Sequence, residues 1–413
     1  MPKQSLWSRW TSWNHQQASI WSLILLSMVS LSFFLSDWLI SIVTFADVTL
    51  GIVLATLIII GAFKVKLTQM KWIGLPLAMI LINNGYQFLT NDSFNIRLGI
   101  ASFIKIGFYL VVIVGLFNYI KERRFEKKFL LILNWVALIL GMIGIYITIA
   151  LYSDGQLPFR FFWEFTRYDI YSYFFESNPA IIRTRSLFSE PAHFGYFLNL
   201  VLAFNLFSRI KLEKYWIFNV LLALIIFSTF SYSMIGIMGI SFGIKLIEKI
   251  IYKEIKWHCG YWVLIIGLAI LTVVFWEFIE VTLVQRTLAL FSGEDTSAQM
   301  RLIESWQYIQ RDTILFGNGI GHTPVITNTF AYFQSDLGVL GTVAVLVLTV
   351  SIMKHNFALS VVFVLLNVSK GGYLGPAYWL MVLCILVFMN QTGSEYPKKQ
   401  FKFYNSSNYK VGG

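Results

Sequence analysis

Long apolar segments, each followed by a short polar or charged one, recur along this chain. Most are close to the roughly twenty residues that an α-helix needs to cross a bilayer. A helix satisfies its own backbone hydrogen bonds, which lipid cannot do for it. The pattern therefore predicts an all-α, polytopic membrane protein with about twelve spans, at residues 18–36, 39–63, 72–90, 98–120, 129–152, 191–208, 215–231, 233–250, 261–281, 330–350, 356–371 and 376–393.

The basic residues indicate how these spans are oriented. Lysine and arginine cluster after every second predicted span, as in "KERRFEKK" at 121–128. Positive charge accumulates on the cytoplasmic side of membrane proteins. We therefore expect both termini in the cytoplasm, and one membrane domain covering residues 1–413.

Two predicted outer loops are too long to be simple connectors, namely residues 152–190 and 281–329. Loops of this length in a compact protein are usually functional or disordered. Both are rich in Phe, Tyr and Trp, whereas disordered segments are poor in aromatic residues. We therefore expect both loops to be folded and functional.

The composition agrees with this interpretation, since 57% of the residues are hydrophobic, 13% are charged and the mean hydropathy is +0.67. The formal net charge of +11 follows mostly from the cytoplasmic lysines, and no basic patch interleaved with aromatic residues indicates nucleic-acid binding. The two cysteines, Cys259 and Cys384, have no partner at a spacing typical of disulfides or metal sites. No cofactor or metal ion is expected.

Arginine and lysine are distributed unequally between the two sides. The predicted cytoplasmic segments carry mostly lysine, which is sufficient to set topology. The outer segments carry mostly arginine, whose planar guanidinium binds phosphate or carboxylate through two parallel hydrogen bonds. The outer face is therefore expected to bind an anion, although some of its arginines are expected to pair with acidic loop residues. The outer arginines are Arg97, Arg160, Arg167, Arg183, Arg185, Arg286, Arg301 and Arg311. Lys105 and Lys370 are the lysines that depart from this pattern.

The segment "RTRSLFSEPAHFG" brings charge to the start of the sixth predicted span. Pro191 suits the first turn of a helix, and Ser189 or Glu190 suits the cap before it. A helix N-terminus is a favourable place for an anion. With Arg183 and Arg185 beside it, this helix start is a candidate anion site.

Ionisable residues continue from this cap into the sixth span. Glu190, His193 and Tyr196 recur at helical spacing and share one face. Ionisable groups inside a membrane are costly and usually face a cavity. A functional cavity is therefore predicted along this face. The alternatives are a plain cap residue at Glu190 and a packing histidine at His193.

The second outer loop has a pattern of its own. The segment "SAQMRLIESWQYIQR", at 297–311, predicts an amphipathic helix with Arg301 and Arg311 on its polar face. The segment "LFGNGIGH" follows, with alternate glycines and then His322. Glycine allows tight turns and close backbone approach. By itself this glycine pattern is weakly specific.

Together these motifs resemble a known family. "RSLFSEPAHFGYFL" resembles a signature of the Wzy-type polymerases of bacterial O-antigen and capsule repeat units. "MRLIESWQYIQRDTILFGNGIGH", followed by "TFAYFQSDLGVLG", resembles a pattern that these polymerases share with O-antigen ligases. The resemblance implies a metal-independent membrane glycosyltransferase of the GT-C type in the bacterial cytoplasmic membrane. One departure concerns the base, because relatives often carry a histidine where this chain has Thr327 and Asn328.

The resemblance also implies a chemistry. Donor and acceptor would be glycans linked to undecaprenyl pyrophosphate, with a flippase and a chain-length regulator as candidate partners. The leaving pyrophosphate must be neutralised and the acceptor hydroxyl deprotonated. An O-antigen ligase shares the donor, and a flippase or other transporter could have as many spans, so both alternatives stay open. The candidate pyrophosphate ligands are Arg183, Arg185, Arg301 and Arg311. The candidate bases are Glu190, His322 and His193.

Overall fold

Helices dominate the computed structural model, which describes residues 6–41, 43–153, 156–163, 173–175, 178–210, 212, 215–251, 273 and 276–389. We number the described elements in chain order. The helices before the second outer loop are α1 Leu6–Leu35, α2 Phe45–Ile59, α3 Leu67–Thr90, α4 Ile96–Glu122, α5 Glu126–Tyr152, α6 Pro191–Phe207, α7 Tyr215–Ser228 and α8 Tyr232–Ile251. The later helices are α9 Trp276–Ile279, α10 Gln285–Ser292, α11 Thr296–Leu302, α12 Thr329–His355, α13 Phe357–Ser369 and α14 Pro376–Met389. The strands are β1 Leu39–Ile40, β2 Val43–Thr44, β3 Phe174–Phe175 and β4 Asn178–Ile182.

Three of these helices, α4, α5 and α12, are long and apolar enough to cross a membrane, as judged by length and composition. Shorter apolar helices accompany them, including α2, α6, α7, α13 and α14. Such helices are compatible with a membrane protein. Each predicted span overlaps a described helix, the ninth only through the four residues of α9. The ninth, at 261–281, lies mostly outside the described residues.

Helix α6 lies at the centre of the bundle, where it packs against α5, α7, α8 and α13. Nearly all of its side chains are buried. A Cβ atom at Gly195 would lie 2.6 Å from the Met234 side chain, so the glycine allows α8 to approach. Asn199 Nδ2 then donates to the Met234 carbonyl at 3.0 Å. The "SEPAH" motif therefore begins a helix that is surrounded by protein.

The predicted span 39–63 is wrong in its first residues. Strands β1 and β2 form an antiparallel ribbon there, and α2 starts at Phe45. Thr44 Oγ1 accepts a hydrogen bond from Asp47 N–H at 3.1 Å, and the Asp47 carboxylate accepts one from Thr44 N–H at 3.0 Å. This reciprocal capping box fixes the start of the helix, so α2 is shorter than the apolar run.

The first outer loop contains a second antiparallel ribbon, formed by β3 and β4. The all-α prediction therefore describes most of the chain but misses these two ribbons. Strands this short do not show a period of two in the sequence. After β4 the chain packs against α5, because Ser186 Oγ donates to the Leu140 carbonyl at 2.6 Å.

The predicted helix over 297–311 is wrong beyond Leu302, where α11 ends. A 3-10 turn follows at Glu304–Trp306. The carbonyl of Tyr308 accepts a hydrogen bond from Asn318 Nδ2 at 3.1 Å instead of from a helical N–H. This contact with the glycine-rich segment overrides the local helical pattern.

The glycine-rich segment packs on a kink in α12. Gly338 sits inside α12 with φ 66° and ψ −152°, far from helical values. Gly319 N–H donates to the carbonyl of Asp336 at 3.0 Å. A Cβ atom at Gly317 or Gly338 would collide with the backbone of the opposite segment. Glycine is therefore required at this crossing, which fixes the second outer loop against the start of α12.

Candidate active site

A cavity of about 610 Å³ opens where the C-terminal ends of α1 and α13 meet the N-terminal ends of α6 and α14. Its size is typical of a site for a small ligand or for the head of a larger one. The lining combines carboxylate, imidazole, ammonium and phenol groups. The ionisable residues that line it are Asp37, Lys105, His193, Tyr196, Tyr332, Lys370 and Tyr378.

Asp37 and His193 form a hydrogen-bonded pair in the wall of this cavity. His193 Nδ1 lies 2.7 Å from Asp37 Oδ2 and 2.9 Å from Oδ1. Because a carboxylate only accepts, Nδ1 carries the proton, and the neutral imidazole keeps its lone pair on Nε2. Nε2 is buried and has no hydrogen-bond partner among the described residues. In this state His193 is suited to take a proton from a group that enters the cavity.

Hydrogen bonds from the "SEPAH" segment hold Asp37 directly after α1. Ser189 donates to Asp37 Oδ2 through its N–H at 2.9 Å and through its hydroxyl at 2.8 Å. Beside it, Trp38 Nε1 donates to the carbonyl of Leu187 at 2.9 Å. Sequence analysis missed Asp37. The available signal was an acidic residue directly after an apolar span.

Glu190 forms an ion pair at the edge of the cavity. It is the N-cap residue of α6, but its side chain makes no capping hydrogen bond. Its Oε2 atom lies 3.2 Å from Lys370 Nζ and 4.0 Å from His193 Nε2. Of the predicted face, His193 and Tyr196 line the cavity, and Glu190 lies beside it through its contacts with Lys370 and His193. Lys370 stood out in the sequence only as an outer lysine.

Arg185 has no exposed surface. Its guanidinium lies 4.1 Å from the centre of the Tyr173 ring, and Nη1 donates to the Ser189 carbonyl at 2.6 Å. It is not among the described residues that line the cavity. This placement does not support direct binding of pyrophosphate by Arg185. The buried guanidinium instead holds the turn that presents Ser189 to Asp37.

Arg301, in α11, interacts electrostatically with the Glu190 carboxylate. Burial and the neighbouring Arg286 lower the pKa of Arg301, while the carboxylates of Glu190 and Asp295 oppose that change. A guanidinium stays protonated despite such a shift. Of the four predicted arginines, Arg301 therefore has the placement that best supports an anion-binding role.

Two further arginines of the prediction lie elsewhere. Arg183 follows β4 and is half-buried, and Arg311 is exposed in the second outer loop. Neither belongs to the described lining of the cavity. The structure therefore does not bring the four predicted arginines together.

His322 is engaged through both ring nitrogens. Its Nε2 atom accepts a hydrogen bond from Asn95 N–H at 2.8 Å, and its Nδ1 atom lies 3.1 Å from the Ile320 carbonyl. The ring also stacks on Phe94, with the ring centres 4.4 Å apart. This geometry anchors the second outer loop to the connection between α3 and α4. It favours His193 over His322 as the base.

Asp336, which sequence analysis did not identify, positions another wall of the cavity. Its buried carboxylate accepts hydrogen bonds from the N–H groups of Gly321 at 3.0 Å and Thr323 at 3.2 Å. It also accepts one from the Tyr373 hydroxyl at 2.7 Å. Burial raises the pKa of Tyr373 well above its usual value, so this phenol remains a donor. Gly321 and Thr323 line the cavity, so Asp336 fixes the position of this part of the cavity wall.

Lys105 brings a further positive charge to the cavity from α4. Its Nζ atom lies 3.8 Å from Asp47 Oδ2, and Asp47 Oδ1 accepts a hydrogen bond from Tyr109 at 2.6 Å. Lys105 and Lys370 therefore supply the ammonium groups of the lining. The sequence marked both as departures from the outer arginine pattern and did not assign them to a site.

Comparisons of the chain with protein-family models, with curated proteins and with solved structures found no match. Within the described part of the chain, no group of three or more His, Cys, Asp or Glu residues is placed to hold a metal ion. Any function assigned to the cavity therefore depends on its own geometry and on the motifs that form it.

Proposed function

We propose that this protein is a membrane glycosyltransferase that polymerises glycan repeat units carried on undecaprenyl pyrophosphate. The reaction takes place on the outer face of a bacterial cytoplasmic membrane. About twelve spans, arranged as in GT-C enzymes, cross that membrane, and both termini lie in the cytoplasm. The observation that carries the proposal is a cavity lined by the cations Lys105 and Lys370 and by His193, whose buried Nε2 has no hydrogen-bond partner among the described residues.

Proton transfer in this reaction belongs to His193. Its Nε2 atom takes the proton of the acceptor hydroxyl while that oxygen attacks the anomeric carbon of the donor glycan. Asp37 fixes the reactive tautomer and stabilises the imidazolium that forms, through the 2.7 Å contact to Nδ1. The bond from the anomeric carbon to the pyrophosphate oxygen breaks, and undecaprenyl pyrophosphate leaves with the electron pair.

Positive side chains stabilise that leaving group. Lys370 and Lys105 line the cavity, and the charge of Arg301 interacts with that of Glu190. Fixed cations in a site shielded from water stabilise developing charge better than water does. In this proposal the side chains take the place of a metal ion, and no cofactor takes part. Glu190 contributes as the partner of Lys370, and His322 and Arg185 support the site without touching the reacting atoms.

Deletion of the gene tests the position of the protein in polysaccharide synthesis. Cells without it should carry glycan limited to one repeat unit, as seen on a gel of the surface polysaccharide. Full-length polymer that accumulates on the lipid carrier would instead identify an O-antigen ligase. Single repeats retained on the cytoplasmic leaflet would identify a flippase.

Complementation then tests the site. Wild-type protein should restore long polymer in the deletion strain, and His193→Ala should not, although it accumulates to a similar level. His355→Ala is the matched control, because this histidine is exposed at the far end of α12 and bonds the Ser351 carbonyl at 2.8 Å. Normal polymer with His193→Ala would exclude His193 as the base.

A further inference from the structure

The ion pair between Glu190 and Lys370 has an unusual position for a structural contact. Both side chains are partly exposed, at 33% and 23%, beside the cavity that Lys370 lines. Glu190 is a helix N-cap, and its carboxylate makes no capping hydrogen bond to the N–H groups of the first turn of α6. A capping carboxylate normally gains from those N–H groups and from the helix dipole. Here the Glu190 carboxylate reaches across to the end of α13 instead.

The cations around Glu190 form an anion-binding site, and the Glu190 carboxylate is the anion that occupies it. Lys370 lies 3.2 Å from Oε2, and Arg301 interacts with the same carboxylate electrostatically. Asp37 is the carboxylate in the described lining itself, and it is held by Ser189 and His193. Glu190 is therefore the carboxylate that neutralises Lys370, whereas Asp47 pairs with Lys105.

We propose that Glu190 is an internal counter-ion that occupies the place of a substrate phosphate on Lys370. An incoming phosphate group displaces the carboxylate from Lys370, and no covalent bond changes in this exchange. The identity of the ligand as a prenyl pyrophosphate rests on the proposed function. The exchange itself requires only an anionic ligand that bonds Lys370 more strongly than Glu190 does.

This exchange makes the site selective. Glu190 keeps Lys370 neutralised while the cavity is empty, so a weakly binding anion gains little by entering. A prenyl pyrophosphate brings more than one negative charge, together with an apolar chain, and can replace the carboxylate. Specificity then follows from competition with an internal anion.

Direct binding measurements test the exchange without any transferase assay. The full-length protein, purified in detergent, is titrated with farnesyl pyrophosphate, and with farnesol to measure the contribution of the chain alone. Glu190→Gln should bind the pyrophosphate about fivefold to tenfold more tightly than the wild type, because the competing charge is gone. Lys370→Ala should bind it about tenfold more weakly. Farnesol binding should not change in either variant.

The double variant and a matched control complete the design. In the Lys370→Ala background, Glu190→Gln should change the dissociation constant by about twofold or less, because the two residues act as a pair. Glu122→Gln is the control, since Glu122 pairs with Lys64 at 2.9 Å outside the described cavity lining. It should bind farnesyl pyrophosphate like the wild type. Folding of each variant is checked by circular dichroism.

The outcomes separate this inference from the proposed function. Equal or weaker binding by Glu190→Gln, or an equal gain in the Lys370→Ala background, would overturn the counter-ion role. A deletion strain with normal polymer would overturn the polymerase proposal. Tighter pyrophosphate binding by Glu190→Gln in that same protein would still support the exchange.

Discussion

Replacing Asp37 by asparagine removes one acceptor and the charge while keeping the size of the side chain. In the wild type, Asp37 Oδ2 accepts from Ser189 N–H at 2.9 Å, and His193 Nδ1 lies 2.7 Å from Oδ2 and 2.9 Å from Oδ1. An asparagine offers one acceptor oxygen and one donor NH₂ group. If its oxygen takes the Oδ2 position facing Ser189, its NH₂ group takes the Oδ1 position, 2.9 Å from Nδ1. Two N–H donors would then face each other unless Nδ1 gives up its proton and accepts. The imidazole proton then lies on Nε2, and this nitrogen can no longer accept the proton of the acceptor hydroxyl.

The opposite orientation of the side chain in Asp37→Asn is also unfavourable. Its NH₂ group would face the Ser189 N–H donor, and an unsatisfied buried donor costs about 1–3 kcal/mol. The first orientation, in which the asparagine oxygen faces Ser189, keeps the hydrogen bonds to Ser189 and His193 and is therefore favoured. It is also the orientation that inactivates His193. Loss of a general base lowers a rate by about 10²–10⁴-fold, or about 3–5 kcal/mol in activation free energy. We expect Asp37→Asn to lower kcat by at least about 100-fold and to change KM by less than about threefold.

Two measurements check this expectation. Initial rates of polymer formation by the purified protein give kcat and KM for the lipid-linked donor. Nitrogen-15 NMR of labelled histidines reports which ring nitrogen is protonated, and a His193→Gln sample assigns the signal. The wild type should show Nδ1–H, and Asp37→Asn should show Nε2–H. Asp312→Asn, at an exposed position of the second outer loop, is the control. A normal kcat, or an Nε2–H tautomer in the wild type, would refute the reasoning.

Three further predictions concern other parts of the molecule. Arg185→Lys should strongly lower both polymer formation and protein accumulation, because the buried guanidinium and its contact with the Tyr173 ring are lost. Arg160→Lys, at an exposed position, should change neither quantity. Polymer of wild-type length and amount from Arg185→Lys, seen on a gel, would contradict this prediction. Gly338→Ala should lower the free energy of unfolding by more than about 2 kcal/mol, since φ is 66° and the added Cβ meets backbone. Gly239→Ala, with open space around it, should be neutral in the same thermal-unfolding assay. Polymerisation in vitro should persist in excess EDTA, and a loss restored by Mg²⁺ would disprove the metal-independent mechanism.

Local sequence was sufficient for most of the helices. Apolar length and the positions of Pro191 and Glu190 predicted the start of α6 correctly. Similar apolar patterns predicted α4 and α5 to within a few residues. The prediction failed where the cap at Thr44 started α2 late and where a distant contact ended α11 early, at Leu302. In both places hydrogen bonds outside the apolar pattern set the boundary.

The candidate site was predictable only in part. The shared face of Glu190, His193 and Tyr196 follows from helical spacing, and the structure places that face at the cavity. Spacing could not rank His193 above His322, because the difference lies in their partners. His322 has both nitrogens engaged, whereas His193 keeps Nε2 available.

The sequence by itself determined the helical class, the apolar segments and the motif at the start of α6, because these depend on neighbours within a few residues. Tertiary structure decided which charged residues form hydrogen bonds and ion pairs with one another. Asp37 reaches His193 from 156 residues away, and Lys370 reaches Glu190 from 180 residues away. Arg185 is buried for the same reason, since its surroundings come from packing. Long-range pairing depends on how helices pack, and a hydrophobic pattern does not specify which polar groups face one another across a cavity.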